Sequence, residues 1–99
     1  MKKLKVILFA DFLEYKEYTS VVCDKFSGLS DKSEFLGTWW IDYNEQEAYS
    51  AILCMANHFI ENTDKTEIIF GVSRKDYEDV TSKLHTENCV IETINCKNL

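Results

Sequence analysis

The stretch from Asn44 to Glu61 constrains this chain more than any other. Ala48, Ala51, Ile52, Met55, Ala56, Phe59 and Ile60 recur at i, i+3, i+4, i+7, i+8, i+11 and i+12. That is the period of a helix with one wide apolar face. Such a face must be buried against a sheet or another helix. Asn44 is placed to cap the helix, and Glu45 and Glu47 suit the positive end of its dipole. Asn62-Thr63-Asp64 ends it.

The segments around this helix set the expected order of elements. Leu4 to Ala10 is apolar apart from Lys5, which reads as a central strand covered on both faces. Lys16 to Phe26 carries Tyr18, Thr19, Val21, Val22 and Cys23 and reads by propensity as a second strand. A cluster of turn formers covers Ser27 to Ser33, and Phe35 to Ile41 is a third strand. Short connections make these three an antiparallel meander. After the long helix, Thr66 to Val72 forms a buried strand that a helical crossover places parallel to an earlier one. Ser73 is an N-cap and Asp76 its capping-box partner. Tyr77, Val80 and Leu84 share one face of a second helix, which ends near His85. Asn88 to Asn95 supplies the last strand. The expected fold is therefore α/β (α+β), in βββαβαβ order, with helices packed on a mixed sheet. The strand from Leu4 should lie centrally, beside and parallel to Thr66–Val72. The long helix should pack Ala48, Ile52, Met55 and Phe59 on the sheet.

Ninety-nine residues form one domain, spanning 1–99, and 45% apolar residues suffice for its core. The net charge of −6 disfavours direct contact with a phosphate backbone and suits docking on a basic protein surface. The apolar run from Val6 to Ala10 is too short to span a bilayer or to form a signal-peptide core, so the chain is expected to be cytoplasmic, with no membrane partner. Cys23, Cys54, Cys89 and Cys96 lack C-x-x-C spacing and read as small buried residues of a reduced, cytosolic protein. Neither His58 nor His85 has a second ligand at zinc spacing, and no Gly-rich phosphate loop occurs.

The strand ending in Asp11 and the helix opening Tyr43-Asn44-Glu45-Gln46-Glu47-Ala48 together resemble the ribonuclease H-like superfold. In that family a first-strand Asp and a first-helix Glu belong to a carboxylate set that binds two metal ions. The resemblance assigns those places to Asp11 and Glu47. Where the family has a third Asp, this chain has Gly71 and Val72 before Ser73. Asp42 and Asp76 are the substitutes within reach of the same edge. Two carboxylates hold a hydrated Mg²⁺ only weakly, and two-metal hydrolysis needs more. The resemblance therefore implies a shortened scaffold with an incomplete catalytic set and no resident cofactor beyond weak Mg²⁺.

Trp39-Trp40-Ile41-Asp42-Tyr43 offers a different chemistry. Adjacent tryptophans on a strand face opposite sides, so one enters the core and the other reaches the outer face. An exposed Trp beside carboxylates is a protein-contact anchor. The residues expected to bind are Trp40, Asp42, Tyr43, Glu45 and Glu47. The leading expectation is a small, non-catalytic binding protein that docks on a larger basic protein or nucleoprotein. In size and charge it resembles phage and mobile-element inhibitors of nucleic-acid-handling defences, such as anti-CRISPR proteins. The alternatives are a minimal metal-dependent nuclease or nucleotide-processing enzyme using Asp11 and Glu47, and a homodimeric or larger structural assembly.

Overall fold

The computed structural model describes residues 1–28 and 31–99; Leu29 and Ser30, part of the turn expected at Ser27 to Ser33, lie outside the described residues. Four strands, β1 (Lys2–Phe9), β2 (Ser33–Thr38), β3 (Glu67–Ser73) and β4 (Cys89–Asn95), alternate with three helices, α1 (Phe12–Phe26), α2 (Gln46–Asn62) and α3 (Tyr77–Lys83). The sheet has the order β2-β3-β1-β4, and every neighbouring pair is parallel. As expected, β1 is central and pairs with β3, with Val6 opposite Phe70 and Phe9 opposite Ser73. The α/β class holds, but the order is βαβαβαβ.

The expected strand at Lys16–Phe26 is a helix, and with it the antiparallel meander and the mixed sheet disappear. Its β-branched and aromatic residues favour a strand locally. Tertiary packing decides otherwise. Tyr15, Tyr18, Val22 and Phe26 are spaced i, i+3, i+7 and i+11, and all four join a core cluster with Ile7, Phe9 and Ile69 of the sheet. Asp11 starts the helix, its side chain accepting the Glu14 N–H. An Asp-x-x-Glu spacing in front of a helical stripe is a capping signal, and here it outweighs the strand propensities that follow.

The connection from β1 runs outward to β2, whereas those from β2 and β3 run the other way. Crossovers of one hand that move in opposite directions place their helices on opposite faces. Accordingly α1 covers one face, while α2 and α3 cover the other, over Leu4, Val6, Leu8, Ile68, Phe70 and Val72. The long helix is rotated from its expected setting. Tyr49, Ala56 and Ile60 are buried, with Ile52 and Leu53 packed beside them, whereas Ala48 and Met55 are exposed. The inward face is the row of Tyr49, Ile52, Leu53, Ala56 and Ile60, and the Tyr49 hydroxyl on it donates to Asp79 of α3 at 2.6 Å. Gly71 in β3 permits close packing: a Cβ there would stand 2.9 Å from the Phe9 ring and 3.0 Å from the Thr38 methyl.

Candidate functional site

In a parallel sheet with helices on both faces, ligands and partners are met at the carboxyl ends of the strands, where neighbouring connections diverge. Here that point lies between β1 and β3, because α1 leaves toward one face and α3 toward the other. On this same edge Ser73 is the last residue of β3, and Asp11, Trp40 and Asp76 follow the ends of β1, β2 and β3 by two or three residues.

The two tryptophans separate as expected. Trp39 is buried and stacks on Phe70, with ring centroids 4.5 Å apart. Trp40 turns to the α1 side and meets Phe12 at 4.9 Å and Tyr15 at 5.7 Å. It is half-buried, and Lys75 lies over its ring. Phe12 is 48% exposed and Leu13 beside it 62%. Lys16 covers the Phe12 ring as Lys75 covers Trp40. The aromatic surface is thus a cluster on the first turn of α1 joined to the β2–α2 loop, broader than Trp40 alone.

Tyr43 is held from below. Its hydroxyl donates to Asp76 at 2.8 Å and approaches Asp79 at 3.5 Å, and its ring meets Tyr49 edge-on. Asp76 is 1% exposed and also accepts from the Ser73 hydroxyl at 2.7 Å. Ser73 caps the turn after β3 and accepts the Asp76 N–H, the reciprocal pairing expected from the sequence. The bond to Asp76, then burial, pushes the Tyr43 phenol up to about 12. Burial and Asp79 likewise raise Tyr49. The Tyr49 hydroxyl, followed by Lys83, keeps the Asp79 carboxyl below its usual range. This network ties the β2–α2 loop to the start of α3 and leaves one face of Tyr43 outward, at 44% exposure.

The carboxylates of that loop are arranged differently. Asp42 accepts the Asn44 N–H at 2.9 Å, forming a local turn. Asn44 therefore does not cap α2; Glu45 occupies the cap position without a side-chain bond. Asp42, Glu45 and Glu47 are exposed, and none takes part in the ion pairs found among the described residues. Asn44, Glu45, Gln46, Glu47 and Ala48 line an open cleft of about 520 Å³.

Asp11 and Glu47, the metal candidates, each sit at a helix start. Asp11 is the α1 cap and accepts the Glu14 N–H at 2.8 Å, and Glu47 lies in the first turn of α2. Among the described residues no group of three or more His, Cys, Asp or Glu is arranged to hold a metal ion. Glu14, which the sequence reading passed over, is buried. It accepts the Ala10 N–H and the Cys96 thiol, both at 3.0 Å, with Lys97 at 3.4 Å. The Cys96 bond leads in holding the Glu14 carboxyl low, and burial, then Glu14, pushes the Cys96 thiol up to about 12. This arrangement fastens the chain after β4 to the α1 cap and makes Cys96 a poor nucleophile. All four cysteines are free, but of the four expected to be buried only Cys96 is; Cys54, on α2, is exposed, and Cys23 and Cys89 are half-buried. His85 pairs with Glu61, and its N–H donates to Asn57; His58 contacts Asn62 in its own helix. No helix among the described residues is long and apolar enough to cross a membrane.

Phe12 and Leu13 were legible only through the Asp11-x-x-Glu14 spacing, which places a helix start, and hence two exposed side chains, at the sheet edge. Comparison of the chain with protein-family models, with curated proteins and with solved structures finds no match.

Proposed function

We propose that this chain is a non-catalytic binding domain that docks on a basic protein or nucleoprotein surface through the carboxyl edge of its sheet. Phe12, Trp40 and Tyr43 provide the apolar anchor. Asp42, Glu45 and Glu47 provide the charged rim. The observation that carries the reading is the presence together of two exposed rings, Phe12 and Tyr43, a half-buried Trp40, and three exposed carboxylates that lie outside the ion pairs found among the described residues. Aromatic anchors supply most of the energy of an interface, and rim charges set orientation and association rate. The Lys16 and Lys75 ammonium groups, each 5.5 Å from the Phe12 and Trp40 ring centroids respectively, would have to swing aside for those rings to meet a basic partner. The specific form proposed is an inhibitor of a nucleic-acid-handling system, of the anti-defence kind, for which the negative charge of −6 is the supporting property.

The ribonuclease H-like comparison retains the parallel β1–β3 pair and the Asp at the end of β1 as support. The helix at Phe12–Phe26 and the all-parallel sheet weigh against extending it to that family's metal chemistry. The binding reading is tested by capturing partners from the native host and titrating the captured protein with wild type and the Asp42→Lys/Glu45→Lys variant at two salt concentrations. Affinity should fall with salt and with charge reversal, while circular dichroism stays unchanged. Equal affinity in all four titrations removes the electrostatic docking. Mg²⁺-dependent cleavage of nucleic acid, lost in both Asp11→Asn and Glu47→Gln, would replace the binding reading by the enzymatic one.

A further inference from the structure

The two edges of the sheet are unequal. At one, β2 has six residues, all partly covered. Its register with β3 is broken between Phe35 and Gly37, and Gly37 has a φ of 109°. A short, bulged edge strand is a poor template for another strand. At the other, β4 runs seven residues in unbroken register with β1, from Lys2 opposite Cys89 to Leu8 opposite Asn95. Among the described residues β1 is its one neighbour. Alternate N–H and C=O groups of β4 therefore point outward. The strand Cys-Val-Ile-Glu-Thr-Ile-Asn contains no Pro, Lys or Arg, and its one charge, Glu92, is already paired with Lys3 at 3.0 Å. Edge strands that must stay single usually carry an unpaired charge or a Pro to block addition. Val90 and Ile91 are 53% and 38% exposed. Their register partners, Lys3 and Leu4, place them on opposite faces, Val90 on the α1 side and Ile91 on the α2 side.

We propose that β4 pairs with β4 of a second copy about a two-fold axis, forming one continuous eight-stranded sheet. A two-fold makes the new pairing antiparallel, and opposed residues must share a face. Charge selects the register. Placing Glu92 opposite Glu92 sets like charges together. A shift of one residue in each copy places Ile91 opposite Ile91 and Val90 opposite Glu92. Each row then reads Lys5, Glu92, Val90 of the second copy and Lys3 of the second copy, so Glu92 neighbours its own Lys5 and no second carboxylate, and the exposed Ile91 side chains cover one another. The occupant is a second copy rather than a foreign strand because the edge is self-complementary in this register, which covers Ile91, the apolar residue on the α2 side, and keeps the two Glu92 side chains apart. The contact is one strand pair, roughly 23 Å long at about 3.3 Å per residue. It is therefore a small interface, and the dimer is a weak one whose population rises with concentration.

Sedimentation velocity of the purified chain across a concentration series reads the proposal directly. The wild type should pass from monomer to dimer, and Ile91→Lys should remain monomeric with an unchanged circular dichroism spectrum. A wild type that stays monomeric at several hundred micromolar overturns the proposal, as does an Ile91→Lys variant that dimerises like the wild type. Register is read by oxidation in a Cys54→Ser background, where opposed residues lie within disulfide reach. Ile91→Cys should give a covalent dimer and Glu92→Cys should not; the reverse result overturns the proposed register and the charge argument with it. This test is independent of the docking face, since β4 lies at the sheet's side and the docking residues at its carboxyl end.

Discussion

Replacing Tyr43 by phenylalanine removes one hydroxyl and leaves the ring in place against Tyr49. The hydroxyl is the donor to Asp76 Oδ1 at 2.8 Å, and Asp76 is 1% exposed. Ser73 continues to serve Oδ2. A buried acceptor left without its donor costs about 1–3 kcal/mol. Because Tyr43 itself is 44% exposed, water can approach from its side, which favours the lower half of that range, about 1.5 kcal/mol. For a domain of this size each kcal/mol shifts Tm by about 4–8 °C, so a fall of about 6–12 °C is expected. The assay is urea and thermal unfolding followed by circular dichroism, with the slope m unchanged so that the midpoint reports stability alone. A Tyr43→Phe variant within about 0.5 kcal/mol of wild type, the range of ordinary surface substitutions, would refute the idea that this bond anchors the β2–α2 loop.

Three further outcomes follow from the same geometry. Stability should be fully present below pH 9.0, the ordinary thiol value, and decline as pH rises toward about 12; Cys96, Tyr43 and Tyr49 all hold their protons more tightly when folded, and unfolding at graded alkaline pH checks this. Gly71→Ala should cost about 1–3 kcal/mol in urea unfolding, because the added methyl meets the Phe9 ring and Thr38 in a packed sheet. Glu14→Ala should remove the acceptor for both the Ala10 N–H and the Cys96 thiol, costing about 1–3 kcal/mol and speeding thiol labelling at Cys96.

What the sequence disclosed and what it concealed follow from how local each signal was. The strands at Leu4–Ala10 and Thr66–Val72 carry the apolar runs Val6–Ala10 and Ile68–Val72, and a run apolar on both faces has few homes outside the middle of a covered sheet. Ser73 and Asp76 were legible because a capping box is local chemistry. The segment Lys16–Phe26 misled because Thr19, Val21 and Val22 favour a strand by propensity, while its helical spacing, Tyr15, Tyr18, Val22 and Phe26, gains meaning only once a sheet is there to bury it. That one misreading also hid Phe12 and Leu13, since without a helix start after Asp11 nothing placed them at the sheet edge. The rotation of α2 was likewise beyond local reading: its inward face meets partners far away in sequence, among them Asp79, bonded to Tyr49 across 30 residues. Within the candidate surface, the outward turn of Trp40 was legible from strand alternation, but its partners come from two other segments, Phe12 and Tyr15 from α1 and Lys75 from the turn after β3.

The docking face is tested most directly by parallel capture from native-host lysate with four immobilised baits: wild type, Phe12→Ala/Trp40→Ala, Asp42→Lys/Glu45→Lys, and Ile91→Lys. The account predicts a protein with a basic surface retained by wild type and by Ile91→Lys at low salt, released as salt rises, and absent from the other two baits, each shown by circular dichroism to be folded. Retention of the same protein by both docking-face variants, or its loss from Ile91→Lys alone, would contradict the assignment of the binding surface to the carboxyl edge of the sheet.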